Sequence, residues 1–231
     1  MTEPPAPERA LAIYAHPDDT EVACGGTLAK WADAGTEVRV LICTRGEKGT
    51  SDPDTDPDEL AARRAAEVAE AAAVLGVARH ELLGHPDGEI ESSVALRGVL
   101  VERLRSFRPD VVLGHDPTAV FFGSGYVSHH DHRAVGWATV DACAPAASSP
   151  LYHPRPDRPT TVSTILLSGT LEPDTWIDIG EVVERKIRAL QCHRSQVGDG
   201  EDVPEIVRQR AAGSGGSAGG AHLEAFRALT L

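Results

Sequence analysis

The chain is expected to fold as one Rossmann-like α/β domain, a three-layer sandwich around a mostly parallel sheet. Three observations predict this. Apolar runs of strand length alternate with alanine-rich stretches of helix length, the pattern of βαβ units whose sheet is covered on both faces. The length, 231 residues, suits a single sizeable domain. A hydrophobic content of 41% is enough to bury a core and excludes global disorder. Residues 1–10 are expected to be a disordered tail and 11–231 the domain.

The elements follow in order. Leu11 to Ala15 (LAIYA) is a short buried strand, stopped by His16-Pro17-Asp18-Asp19. Cys24 to Ala34 reads as a helix ending at Gly35, and Glu37 to Thr44 (EVRVLICT) as a β-branched strand. Arg45 to Pro57 is a polar loop broken by Asp-Pro steps. Asp58 to Leu75 is strongly helical, with Gly76 as its C-cap. A strand near Glu81 to Leu83 precedes a helix from Ser92 to Phe107 and an apolar run at Val111 to Leu113. His132 to Cys143 reads as a helix, Val162 to Leu167 as a strand and Asp178 to Arg194 as a helix. Leu223 to Leu229 is expected to be a short final helix. Gly213 to Gly220 (GSGGSAGG) has the composition of a mobile loop.

Charge and cysteine usage narrow the function classes. Against 35 acidic residues stand 22 Lys and Arg, a formal net charge of −13. Binding a polyanion requires basic residues to neutralise phosphates, so nucleic acid and anionic membranes are poor partners. No apolar run approaches the roughly 18 residues of a membrane span, and the acidic, proline-rich N-terminus lacks signal-peptide character. Cys24, Cys43, Cys143 and Cys192 are widely spaced, without a CxxC pair, and read as separate thiols in a reducing cytoplasm. GxGxxG and P-loop motifs are absent, which weakens dinucleotide and nucleotide-triphosphate readings.

Two clusters carry the chemistry. The first, His16-Pro17-Asp18-Asp19, ends the first strand, and open parallel sheets bind ligands outside the carboxyl ends of their strands. A His and two carboxylates there suit a divalent metal, with His16 and Asp19 as ligands. Pro17 restricts the turn, so the two carboxylates can diverge and Asp18 can act on a bound water. The ordinary alternative for either Asp is helix capping. The second cluster is His129-His130-Asp131-His132, opening a helix. Histidine is the commonest metal ligand, and Asp131 can orient a flanking His through its ring N–H. A chance surface cluster is the competing explanation. Phe121, Phe122 and Tyr126, just upstream, suit stacking on a sugar or ordinary core packing.

These residues resemble the LmbE-like (PIG-L) zinc-dependent deacetylases, which act on N-acetylglucosamine-containing substrates. The similarity rests on His16-Pro-Asp-Asp19 with Glu21 and Gly25-Gly26-Thr27, and on His129-x-Asp131-His132-Arg-Ala-Val-Gly136. Arg64-x-x-Glu67, Pro86-Asp87-Gly88, the Lys186–Gln196 segment and Glu224-Ala-Phe226 extend it over residues 11 to 227. The resemblance implies one Zn2+ per chain, with Fe2+ the alternative, held by His16, Asp19 and His132. It implies Asp18 as general base, a protonated His129 stabilising the oxyanion, and Arg64 and Asp87 near the sugar. Arg64 also reads as an ordinary helix-surface charge. His130 departs from the family's usual Pro and is expected to face solvent; His193 receives no role. The implied partner is a small amino-sugar. Two other functions stay open: an amidase acting on another amide such as a thiol-sugar conjugate, and a non-catalytic sugar- or metal-binding module. The oligomeric state is not legible.

Overall fold

The computed structural model describes residues 3–153, 158–213 and 222–231. In chain order its elements begin β1 (Arg9–Tyr14), α1 (Asp19–Asp33), β2 (Glu37–Thr44), α2 (Pro57–Leu75), β3 (Arg79–His85), α3 (Val94–Phe107) and β4 (Val111–His115). A small hairpin of β5 (Phe121–Phe122) and β6 (Tyr126–Val127) leads into α4 (His130–Asp141). The remainder is β7 (Thr164–Ser168), β8 (Thr175–Asp178), α5 (Val183–Gln191), the short α6 (Arg194–Val197), α7 (Val203–Gly213) and β9 (Leu223–Thr230).

Side chains alternate across a strand, and β1 is apolar on both faces. Ala10, Ala12 and Tyr14 enter one core with α1, α2, α5 and α7, while Leu11 and Ile13 enter another with α3 and α4. A strand buried on both faces belongs in the middle of a parallel sheet. Accordingly β1 lies between β2 and β4, parallel to both, in the order β3-β2-β1-β4-β7-β9-β8. Within this sheet β9 runs against its neighbours, pairing antiparallel with β7 and β8. The three-layer, mostly parallel α/β fold is therefore present. The chain winds outward from β1 to β3, then returns to place β4 on the other side. That reversal opens a crevice at the carboxyl ends of β1 and β4.

Local chemistry closes the helices. The Asp56 carboxylate caps α2 by accepting the Asp58 and Glu59 N–H groups, and Gly76 ends it at φ +80°. Helix α1 breaks at Cys24 (φ −143°), leaving the following N–H groups without helical partners. Glu224 on β9 caps them, accepting from Gly26 N–H at 2.9 Å and Thr27 N–H at 2.7 Å, with Lys186 Nζ at 2.5 Å balancing its charge.

Two expectations are corrected. The tail does not extend to residue 10: β1 begins at Arg9, Ala10 is buried, and Thr36 Oγ1 donates to the Pro7 carbonyl. Leu223 to Leu229 is strand, not helix. Its apolar positions fit either period, but only as β9 can Glu224 and Phe226 point together into the core while the backbone joins β7 to β8. The glycine-rich stretch at 214–220 lies outside the described residues. No described helix is long and apolar enough to cross a membrane.

Candidate active site

The crevice gathers the ends of four strands. His16 follows β1, the 45–49 turn follows β2, Asp87 follows β3 and His115 ends β4. Helix α4 contributes its N-terminal residues from above. Asp18 occupies the N-cap position of α1, but at φ 104° and without a side-chain capping bond. Capping is therefore not its role, and a non-glycine residue in this region is strained.

His16, Asp19 and His132 converge. His16 Nδ1 is 3.2 Å from His132 Nε2 and 3.2 Å from Asp19 Oδ2; His132 Nε2 is 3.2 Å from Asp19 Oδ1. The other ring nitrogen, His16 Nε2, rests on Asp87 Oδ1 at 3.1 Å and Asp131 Oδ2 at 3.2 Å. These carboxylates hold the Nε2 proton, leaving Nδ1 as the nitrogen that faces His132 and Asp19. Two imidazole nitrogens and a carboxylate pointing at one another, all within 4.8 Å, are a poor arrangement for protons alone and a good one for a divalent cation. In the metal-free protein, burial disfavours charge on His16, but the hydrogen bonds its ring N–H groups donate to the Asp19 and Asp87 carboxylates outweigh it and raise its pKa to about 10.

Asp131 differs from expectation. Its carboxylate orients His16 rather than a flanking His, and its backbone N–H donates to His129 Nδ1 at 3.2 Å. His129 Nδ1 is thus an acceptor and Nε2 carries the proton. Burial, aided by the proximity of His16, lowers the His129 pKa, which works against the implied imidazolium.

Asp18 is the carboxylate left out of the triad. Burial, followed by the charge of Asp19, raises its pKa to about 7, with Arg64 pulling the other way. Arg64 is 3% exposed, which excludes the helix-surface reading. Its guanidinium donates to the carbonyls of Pro17 and Gly46 and sits 3.2 Å from Asp18 Oδ2. A Cβ at Gly46 or Gly49 would meet it at 2.5 Å, so the turn after β2 is glycine-bounded because it wraps this side chain. His16, Asp18, Arg64 and His129 share a cavity of about 370 Å³, rimmed by Lys48 and Gln196. Asp87 also lines it, although its carboxylate is already engaged by His16 and the Lys48 N–H.

Other residues fall outside the cavity or were not foreseen. His130 is exposed. Phe121 and Tyr126 stand on the exposed hairpin, 67% and 54% accessible, and do not line the cavity. Glu47, which accepts the Asp87 N–H, and His115, buried beside His132, belong to no motif. Arg64 did leave a signal, lying four residues from Leu60 and Val68 on the buried face of α2. His193 is buried against Glu21 at 3.2 Å, while Ser195 and Gln196 after it tie α2 to the 45–49 turn. A second cavity, about 250 Å³, lies near the amino ends of β2 and β3, where Arg39 and Arg103 are already paired with Glu37 and Glu81.

Residues 11–143 match the family described as PIG-L: GlcNAc-PI de-N-acetylase. The diacetylchitobiose deacetylase of Thermococcus kodakarensis is 34% identical over 204 residues, covering 86% of this chain and 73% of that one. The 1D-myo-inositol 2-acetamido-2-deoxy-alpha-D-glucopyranoside deacetylase 2 of Saccharopolyspora erythraea is 34% identical over 247 residues, covering 86% and 88%. Among solved structures, N,N'-diacetylchitobiose deacetylase from Pyrococcus horikoshii is similar with a TM-score of 0.88 and 33% identity, covering 97% of this chain and 84% of that one.

Proposed function

Because the chain belongs to the PIG-L family, matched as GlcNAc-PI de-N-acetylase, we propose that it removes the acetyl group from an N-acetylglucosamine-containing small molecule. The observation that carries this reading is an unliganded carboxylate, Asp18, on the wall of the cavity that also contains the edge of the His16, Asp19 and His132 triad. A pure metal-binding module has no use for a strained, desolvated second Asp.

His16, Asp19 and His132 hold the metal in this reading, zinc first and iron(II) as the alternative. A divalent cation held there would supply a Lewis acid and make water a nucleophile near neutral pH. Asp18, with a pKa of about 7 in the metal-free protein, accepts the proton of the attacking water and returns it to the departing amine. His129 donates a hydrogen bond from Nε2–H to the carbonyl oxygen as charge develops there. Arg64 holds Asp18 in place, and Asp87, Lys48 and Gln196 face the sugar. The four cysteines are all free and buried, which supports a cytoplasmic setting.

The test is primary-amine release from a panel of N-acetylglucosaminides, with Asp18→Asn and His129→Ala alongside. The wild type should turn over, Asp18→Asn should lose nearly all activity, and His129→Ala should lose about 10²–10³-fold, both retaining metal. Undiminished turnover by Asp18→Asn would refute the base assignment. A wild type silent on every acetylated sugar but active on larger amides would move the substrate class.

A further inference from the structure

His115 ends β4 beside the end of β1, and its ring is buried. It stacks face to face on His132, ring centroids 4.1 Å apart and planes 10° from parallel. Its Nε2 accepts the N–H of Ala15, the residue before His16, at 3.2 Å and lies 3.3 Å from Asp19 Oδ2. Tyr14 packs against it in a perpendicular plane, centroids 4.8 Å apart. One side chain therefore touches His132 and Asp19 directly and reaches His16 through the adjoining backbone.

Helix α4 is seated on the same residue. A Cβ on Gly136 would lie 2.8 Å from the His115 carbonyl, so the helix packs on bare backbone there. His132 is four residues earlier, on the same helix face, which lays its imidazole over the His115 ring. The Ala15 N–H occupies the Nε2 lone pair, so His115 is not a fourth donor to the triad.

We infer that His115 is a positioning residue for the metal site: its stacked ring sets the plane of His132 and the placement of Asp19. This rests on the reading above only in taking His16, Asp19 and His132 as the ligands. A group that orients a ligand without binding the metal typically changes affinity about 10–100-fold when removed.

Cobalt(II) affinity and the visible absorption of the cobalt-loaded protein test the inference in wild type, His115→Ala, His115→Phe and His115→Gln, with thermal unfolding of each metal-free protein. His115→Ala should weaken cobalt about 10–100-fold and shift the absorption bands. His115→Phe, which keeps a stacking ring, should return both toward wild type. His115→Gln, which keeps an acceptor for Ala15 but no ring, should not. Unchanged affinity and spectrum in His115→Ala would overturn the inference, as would rescue by Gln but not Phe. Should His115→Ala fail to fold, the contrast between Phe and Gln decides. A wild type that binds no cobalt would instead overturn the metal site itself, and the inference with it.

Discussion

Asp131 Oδ2 lies 3.2 Å from His16 Nε2 and also accepts the Gly88 N–H at 2.7 Å. The residue is fully buried, and its own N–H reaches His129. Asp131 thus shares with Asp87 the placing of the His16 Nε2 proton, and its N–H sets which nitrogen of His129 carries a proton. Asp131→Asn keeps the shape and removes one of the two carboxylates that hold the His16 Nε2 proton. Metal affinity should fall about 10–100-fold, measured by competition with a chromophoric chelator. Unchanged affinity would refute this dependence.

Arg64 acts on Asp18 in two ways, as a charge 3.2 Å away and as the clamp on the Pro17 and Gly46 carbonyls. In Arg64→Gln the burial and Asp19 charge that raise the Asp18 pKa remain, while the opposing charge is gone. The acidic limb of kcat/KM should move to higher pH, because a base with a raised pKa is ionised only at higher pH. Displacement of the turn should also lower kcat/KM at its optimum by about 10²-fold. A pH profile on the panel substrate checks both; a limb that stays in place or moves down contradicts the electrostatic role.

The parts of the site legible in the sequence are those written in consecutive residues. His16, Asp18 and Asp19 share one turn, and His129, Asp131 and His132 share one helix start, so residue type and spacing were informative without coordinates. The partners were less accessible. Asp131 was expected beside a neighbouring His but reaches across to His16, because the helix start faces the end of β1 rather than itself. His115 is a lone histidine at a strand end, and stacking between residues from different elements leaves no local pattern. The same limit holds for the fold: the apolar positions of β9 fit both the helix and the strand period, and only its place between β7 and β8 makes it a strand.

Gly136 tests whether helix seating controls the metal ligands. Its added Cβ in Gly136→Ala would meet the His115 carbonyl at 2.8 Å and Pro117 at 3.1 Å. Backbone cannot yield as a flexible side chain can, so overpacking should cost about 1–3 kcal/mol. Metal affinity should fall with stability, since the helix carrying His132 must lift. Gly125→Ala, where nothing lies within 4 Å, is the control and should be near neutral. Thermal unfolding and chelator competition on both variants decide the matter; equal behaviour would show that α4 has room to spare.

Protons and metal compete for His16, and the competition has a definite sign. In the metal-free protein burial opposes the charged ring, but Asp19 and Asp87 raise its pKa from 6.5 to about 10. Only the deprotonated Nδ1 can bind metal, so binding at neutral pH should release about one proton. Affinity should then rise roughly tenfold per pH unit until His16 titrates. Stability of the metal-free protein runs the opposite way. A folded pKa above the unfolded value stabilises fully below pH 6.5, and that contribution is lost as pH rises toward 10. Asp18, raised from 3.8 to about 7, loses its corresponding contribution over that lower window. The gap in Tm between metal-loaded and metal-free protein should therefore widen from pH 6.5 to 9. Calorimetry in two buffers of different ionisation enthalpy counts the released proton, and paired melts follow the gap. A gap that stays constant, with no proton released, would show that His16 is not where metal and proton compete.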